Sequence, residues 1–228
     1  MWFRLAVAGV ALSVVTAVPA FAQNAELARI SDATTVFSEI MDAPDSSIPR
    51  SVLDRAEAIA IFPGVLRAGF VFGAQYGHGI ISVRDADTGA WSAPAFLTIA
   101  GGSFGAQIGG QATDLVLVVM DRLGVQRLLA NKFKIGAEAS AAAGPVGRSA
   151  EASTDIQLRA MILSYSRTRG LFAGIALNGS RLAADRDANL RFYGKDLGSR
   201  EVISEMSSRT DLPEAVTRLR NALHHYAR

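Results

Sequence analysis

Apolar residues recur at steps of three and four along the first organised segment of the chain, residues 24–41. This spacing predicts an amphipathic helix, because residues three and four apart share one face of a helix. The apolar stripe consists of Leu27, Ile30, Thr34, Phe37 and Met41. The polar face carries mostly acids: Glu26, Asp32, Glu39 and Asp42, against Arg29. Two interpretations stay open. The helix packs on the domain that follows, or its stripe contacts a membrane, although basic polar faces are the ones that anionic lipids favour.

The period of the pattern changes to two in residues 58–81, which are apolar and rich in residues typical of strands. Glycines occupy odd positions, and larger side chains occupy even ones. The two sets are Gly69, Gly73, Gly77 and Gly79, and Phe70, Phe72, Tyr76 and Ile80. In an extended chain this alternation places the glycines on one face, where they let a sheet bend or close. We interpret the segment as one strand, which the turn at residues 85–89 joins to a strand at 90–100.

The pattern predicts further elements along the rest of the chain. Residues 51–57 form a short helix behind Ser51, and residues 121–131 form a helix capped by Asp121. The remaining strands are expected at 101–112, 114–120, 133–143, 156–166 and 170–178, with a helix as the alternative at 156–166. Helices follow from residue 183, and capping residues between Thr210 and Glu214 open the last one. The expected fold class is α+β: a strongly bent or barrel-like antiparallel β-sheet with amphipathic helices at both ends.

The amino terminus has the composition of an export signal. A basic start ending at Arg4 precedes an apolar run over residues 5–18, and Ala20-Phe-Ala22 supplies a small-x-small cleavage pattern. We expect cleavage near Ala22 and a periplasmic or secreted protein, with an uncleaved anchor as the alternative. The predicted organisation is a signal peptide at 1–22, an amphipathic helix and turn at 23–48, and one domain with carboxyl-terminal helices at 49–228.

Composition removes several classes of function. The 228 residues carry a formal net charge of only +2, which gives no overall attraction for nucleic acid. Cysteine is absent, so the chain cannot be a lipoprotein anchored through a cysteine thioether and has no thiolate metal site. We expect no cofactor and no nucleic-acid partner.

One short motif is typical of serine hydrolases. Gly101-Gly-Ser-Phe-Gly105 has the G-x-S-x-G pattern around Ser103, and aspartates followed by His224 and His225 come later in the chain. A nucleophile of this kind sits on a turn between a strand and a helix, whereas the residues after Ser103 continue a strand-like, glycine-spaced pattern. Hydrolysis through Ser103 is therefore the weakest hypothesis, and we expect no catalytic residues.

A second motif resembles half of a calcium loop. Asp185, Asp187 and Asn189 place oxygen atoms at alternating positions, and Asp196 lies where the twelfth residue of such a loop would be. Glycine at the sixth position is replaced by Leu190, and arginines lie inside the segment. We expect no metal site, with these three residues as weak candidates only.

Basic residues supply the remaining candidates for binding. Lys132 and Lys134 flank Phe133, which we expect to be exposed and able to enter a membrane interface. Arg167 and Arg169 lie near a predicted turn, and arginine forks suit phosphate or carboxylate groups. Pairing with the acids of the chain itself is the alternative.

Four short motifs, in a fixed order along the chain, resemble those of a known family. They are Ala60-Ile-Phe-Pro-Gly64, Trp91-Ser-Ala-Pro-Ala-Phe96, Ala143-Gly-Pro-Val-Gly-Arg148 and the run from Tyr165-Ser-Arg to Gly170-Leu-Phe-Ala-Gly174. Together they resemble the SYLF domain, with a match from about residue 49 to residue 194. Eukaryotic members are tied to phosphoinositide binding and actin assembly, and bacterial members are exported proteins for which lipid binding is the usual inference.

The resemblance implies a non-enzymatic protein of the bacterial envelope that binds lipid or a membrane surface. The candidate lipid-binding residues are Leu27, Ile30, Phe37, Lys132, Phe133, Lys134, Arg167 and Arg169. The alternative is an envelope scaffold that binds a protein or polysaccharide partner. Because an exported protein does not meet actin, we expect no actin partner.

Overall fold

The computed structural model describes residues 20–43, 47–69, 72–104, 109–130, 132–146, 160–168, 171–175, 177 and 179–227. Its helices are α1 Ala20–Met41, α2 Arg50–Leu53, α3 Arg122–Leu128, α4 Arg186–Tyr193, α5 Ser199–Met206 and α6 Glu214–Tyr226. Its strands are β1 Ala58–Gly69, β2 Phe72–Val83, β3 Ala95–Phe104, β4 Gly109–Val119, β5 Lys132–Lys134, β6 Ala141–Ala143, β7 Ile162–Thr168, β8 Leu171–Gly174 and β9 Arg181–Ala184. None of the described helices is long and apolar enough to cross a bilayer.

The strands form one curled sheet in the order β5-β9-β3-β2-β1-β4-β7-β6, with β8 paired to β7. All neighbours are antiparallel except β6 and β7, which run parallel. The predicted fold class, a bent sheet with helices at both ends of the chain, is confirmed. The sheet is mixed rather than wholly antiparallel, because the three residues of β6 align with β7 after a long connection.

The Ile61-Phe-Pro-Gly64 motif forms a bulge in β1. The pairing of β1 with both neighbours shifts register at this point. Gly64 has a φ of 59°, a conformation that favours glycine, and its N–H donates to Asp114 Oδ1 at 2.9 Å. The bulge presses against Gly79, where a Cβ atom would lie only 2.4 Å from the carbonyl oxygen of Ile61. The glycine on β2 is therefore a packing requirement of the bulged strand beside it.

Two other sequence motifs meet at the edge of the sheet formed by β6, β7 and β8. Gly144 lies so close to the ring of Tyr165 that a Cβ atom would be 2.0 Å from its Cζ. Gly174 in turn packs on the backbone of Gly144, and Phe172 stacks on Tyr165 with ring centroids 5.5 Å apart. Burial raises the pKa of the Tyr165 hydroxyl, which keeps the ring neutral. These motif residues form a packed joint between β6, β7 and β8.

The two faces of the sheet follow from the register, because paired residues share a face and neighbours along a strand alternate. We call the face that α1 covers the helix face. There the guanidinium of Arg29 in α1 lies 5.3 Å from the ring centroid of Phe96 in β3. Phe192 of α4 packs edge-on against the same ring at 5.3 Å. Helix α6 packs on α1, with Tyr226 against Phe37 at 5.9 Å.

Local signals predicted several elements correctly. Helix α1 is present, and Asp121 caps α3 by accepting a hydrogen bond from the N–H of Gly124 at 2.5 Å. The turn at 85–89 is held by Asp85, whose Oδ1 accepts from the N–H of Thr88 at 2.8 Å. Most of the predicted signal peptide, residues 1–19, lies outside the described residues, as do residues 156–159.

Several sequence-based expectations were wrong, including the cap at Ser51, which lies inside α2 behind Pro49. Residues 58–81 form two strands rather than one, because the glycine alternation runs on through the reversal between Gly69 and Phe72. The strand β9 was missed, since its four residues carry no alternation strong enough to distinguish it from the helix that follows. Finally, α6 begins behind Pro213 without a side-chain cap, and Asp211 pairs with Arg209 instead.

Candidate binding surface

Three of the predicted lipid-contacting side chains belong to the core. Ile30 and Phe37 are 0% exposed and Phe133 is 1% exposed. The first two lie on the stripe of α1 that faces the sheet and α6, which confirms the interpretation that this helix packs on the domain. The expected exposure of Phe133 is wrong, because the residue alternates with Lys132 and Lys134 in β5 and its ring turns to the buried face. Leu27 is half-buried against the same core.

Arg167 connects the sheet to α1. Its guanidinium donates to Asp114 Oδ2 at 2.9 Å and to Glu39 Oε2 at 2.5 Å. Burial alone would lower the pKa of Arg167, but the hydrogen bonds to both carboxylates raise it above its ordinary value. The guanidinium is therefore occupied by intramolecular pairs. Arg169 lies outside the described residues.

The residues of the calcium-loop motif support α4 and its contact with the sheet. Asp185 caps α4 by accepting from the N–H of Ala188 at 3.1 Å, and it pairs with Arg29 at 2.9 Å. Asn189 is buried and accepts from the N–H of Phe96 at 3.0 Å. Asp187 lies in the first turn of α4. Among the described residues, no group of three or more histidines and acids is arranged to hold a metal ion.

Ser103 lies within a strand. It belongs to β3, where its pairing partner is Gly73 of β2. The sharp strand-to-helix turn that exposes a hydrolase nucleophile does not occur at this position. The local context of the G-x-S-x-G motif is therefore that of an ordinary sheet residue.

The helix face is uncovered where the strands extend past α1 and α4. We call this region the open sheet face, and two of its side chains are large and apolar. Leu66 is 63% exposed and Tyr76 is 50% exposed. Register pairs these two residues with each other and with small neighbours, Ala112 and Ala100. The result is a shallow, mostly apolar surface across the four central strands.

One edge of the open sheet face is basic. Lys134 of β5 lies directly opposite Arg181 of β9. Lys132 comes two residues before Lys134 on the same strand, so its side chain lies on the same face. All three side chains are exposed. Within the described residues, none of these cations forms an ion pair with a carboxylate. Like charges directly opposite each other on neighbouring strands are destabilising. Glu138 Oε1 accepts from the backbone N–H of Lys134 at 3.1 Å, so one carboxylate lies beside the edge, but the three cations outnumber it and the edge remains positive.

An open pocket of about 460 Å³ adjoins this surface where it meets α4. Its wall includes Tyr76 and His78, with Tyr76 Oη 3.2 Å from His78 Nε2. The other ring nitrogen of His78 lies 3.2 Å from Asp185 Oδ2. Burial alone would raise the pKa of Asp185, but hydrogen bonds from Arg29, the Ala188 N–H and His78 hold it below its ordinary value. The pocket is therefore mixed in charge, unlike the basic edge.

Sequence reasoning identified Lys132 and Lys134 but missed Leu66, Tyr76 and their relation to Arg181. The missing information is the bulge at Pro63-Gly64, which decides which side of the sheet Leu66 faces. A proline-glycine pair within a strand pattern is the signal that would have indicated it.

Comparison with known proteins finds one matching family and several similar sequences. The model of the Ysc84 family, described as "Las17-binding protein actin regulator", matches residues 100–226. An SH3 domain-containing protein of Schizosaccharomyces pombe is 38% identical over 178 residues, and Protein YSC84 of Saccharomyces cerevisiae is 36% identical over 186 residues. SH3 domain-containing YSC84-like protein 1 of mouse is 35% identical over 170 residues. These alignments cover 77%, 80% and 73% of the chain, but only 41%, 39% and 49% of the relatives.

These matches correct one expectation. The sequence was interpreted as having no actin-related partner, on the ground that an exported protein does not meet actin. That expectation is wrong, because the matching family is described by actin regulation and by binding to Las17.

Proposed function

We propose that this chain, which belongs to the Ysc84 family, also called the SYLF family, is a non-enzymatic module that binds an anionic membrane surface with its open sheet face. The observation that carries the proposal is the like-charged pair of Lys134 and Arg181 beside exposed Leu66 and Tyr76. Its cost to the fold is offset when the cations meet anionic headgroups. The two apolar side chains then enter the interface between headgroups and acyl chains. Delivery to an envelope membrane through residues 1–22 is part of the proposal.

The acidic face of α1 does not oppose this proposal. Two of its four acidic side chains are tied to arginines of the domain, Glu26 to Arg191 and Glu39 to Arg167, so the face is partly neutralised. Helix α1 therefore acts as a support for the sheet, and the basic edge is the surface offered to lipid.

Vesicle flotation of residues 23–228 tests the proposal. We expect the protein to float with vesicles that contain anionic phosphatidylglycerol and to stay at the bottom with neutral phosphatidylcholine alone. The double variant Lys134→Gln and Arg181→Gln should float several-fold less, because each basic residue near an anionic surface contributes about 1 kcal/mol. Raising the salt concentration should weaken the binding of the parent protein.

The matched control is Lys195→Gln with Arg218→Gln, which removes one lysine and one arginine from exposed positions elsewhere. It should float like the parent protein. Equal losses in both double variants would mean that only net charge matters, and absence of flotation with anionic vesicles at low salt would reject membrane binding.

Regulation of actin is the second candidate function, and the description of the matching family favours it. In this case residues 23–228 should pellet with actin filaments in the absence of lipid, in a saturable manner. Protein that stays in the supernatant at every filament concentration would exclude direct filament binding. The chain spans about two fifths to half of the relatives it matches, so activities of their other parts do not bear on this test.

A further inference from the structure

On the face of the sheet opposite the open sheet face lies the guanidinium of Arg67, which forms no ion pair within the described part of the chain. Arg67 follows Leu66 in β1, so the two side chains point to opposite faces. Arg67 is half-buried, and its Nε atom is enclosed without a hydrogen-bond partner among the residues that the structure describes. Burial lowers the pKa of Arg67. A charge that is partly removed from water without a partner costs free energy, and an anionic ligand would offset that cost.

The neighbours of Arg67 on this face are amides and a glycine. Register places Gln111 on one side of Arg67 and Gln75 on the other, with Gly101 next in the row. Gln75 is only 4% exposed, and its Nε2 donates to Ser180 Oγ at 2.6 Å. Its Oε1 is enclosed and has no partner among the described residues. An enclosed arginine donor and an enclosed glutamine amide thus occupy paired positions, each with bonding capacity unused.

Ser180 reaches Gln75 because Gly101 has no side chain. A Cβ atom at residue 101 would lie 2.7 Å from the Cα of Ser180. The hydroxyl of Ser180 can donate as well as accept, and the two orientations of a glutamine amide exchange oxygen and nitrogen. When Ser180 donates to Gln75 Oε1, the NH₂ group of Gln75 occupies the enclosed position that has no partner among the described residues. The row then offers amide and guanidinium donors side by side.

We propose that Arg67, together with Gln75 and Gln111, binds a phosphate group, either free or as the headgroup of a lipid. An arginine fork matches the oxygens of phosphate in pairs, and amide N–H groups complete the set of donors. The site does not rest on the membrane-binding surface, because it lies on the other side of the sheet. Either site can fail while the other stands.

Calorimetric titration of the full chain with inorganic phosphate tests the site. We expect saturable binding by the parent protein and at least tenfold weaker binding by Arg67→Gln. The matched control is Arg55→Gln, which removes the same charge from an exposed arginine that precedes β1, at the other end of this strand from Arg67. It should bind phosphate like the parent. Absence of binding by the parent, or equal losses in both variants, would overturn the proposal.

Thermal unfolding separates a ligand site from a structural role. In phosphate-free buffer, Arg67→Gln should unfold at the same temperature as the parent or higher, because it removes a charge that forms no ion pair with any described residue. Phosphate should raise the Tm of the parent but not that of the variant. A lower Tm for the phosphate-free variant would assign Arg67 to folding and would also overturn the proposal.

Flotation distinguishes the two sources of the phosphate. The vesicles are phosphatidylcholine with phosphatidic acid, whose headgroup is a phosphate monoester. Lower flotation of Arg67→Gln, alongside its loss of inorganic phosphate, would identify a lipid headgroup as the ligand. Unchanged flotation with loss of inorganic phosphate would identify free phosphate. Both results support the shared chemistry.

Discussion

Replacement of Gly79 by alanine is expected to lower the free energy of unfolding by about 3 kcal/mol, at the upper end of the usual cost of overpacking a core. The new methyl group would lie 2.4 Å from both the carbonyl oxygen of Ile61 and the ring of Phe62. The carbonyl belongs to the strand backbone, and the ring is fully buried, so neither can move away at small cost. Urea unfolding followed by circular dichroism measures the loss.

Gly102→Ala is the matched control. It lies on the neighbouring strand β3, and a methyl group there would meet nothing closer than the carbonyl oxygen of Gly73 at 3.9 Å. We expect its free energy of unfolding to differ from that of the parent by no more than about 0.5 kcal/mol, as for most exposed substitutions. Equal stability of the two alanine variants would contradict the packing of the bulge on Gly79.

Replacement of Arg191 by methionine is expected to cost about 3 kcal/mol, because it leaves a buried carboxylate without its cation. Glu26 of α1 is 0% exposed, and its Oε1 accepts from Arg191 Nη2 at 2.7 Å and from Nε at 2.9 Å. Its other oxygen has no hydrogen-bond partner among the described residues. Methionine keeps most of the aliphatic length of arginine, so the loss measured by urea unfolding reports the charge pair rather than a cavity.

Arg218→Met provides the comparison. Arg218 pairs with Glu214 at 2.7 Å, one turn apart on α6, and the carboxylate of Glu214 is 81% exposed. An exposed pair of this kind contributes less than about 1 kcal/mol, so we expect little change in the free energy of unfolding. A large loss in both variants, or in neither, would mean that burial of Glu26 does not set the cost.

The parts of the fold that were predictable from sequence depend on short-range chemistry. Asp121 caps a helix three residues away, and Asp85 closes a turn within its own segment, so both were identified correctly. The burial of Phe133 was not predictable, because it depends on the pairing of β5 with β9, about 50 residues further along the chain. The same holds for the acidic face of α1. Nothing in the local sequence indicates that Glu26 meets an arginine 165 residues away.

The candidate surface was predictable only in part for the same reason. Lys132 and Lys134 lie two residues apart and can be recognised from sequence as basic residues that flank an aromatic one. Their counterpart Arg181 joins them only through strand pairing. The glycines of the motifs were recognised as packing residues, but their partners, such as Tyr165 for Gly144, became evident only from the fold.

The bulge at Pro63-Gly64 shifts the alternation of side chains along β1 by one residue. Before it, odd-numbered residues such as Ile61 face α1, and after it, even-numbered residues such as Leu66 do. Without the bulge, the same residues would keep the register that pairs Ile61 with Ile80, so Val65 would pair with Tyr76 and Leu66 with Gln75. Leu66 would then turn to the other face of the sheet, and Arg67 would turn to the face that carries Tyr76. One inserted residue therefore keeps the exposed apolar side chain of Leu66 and the half-buried cation of Arg67 on opposite faces of a single sheet.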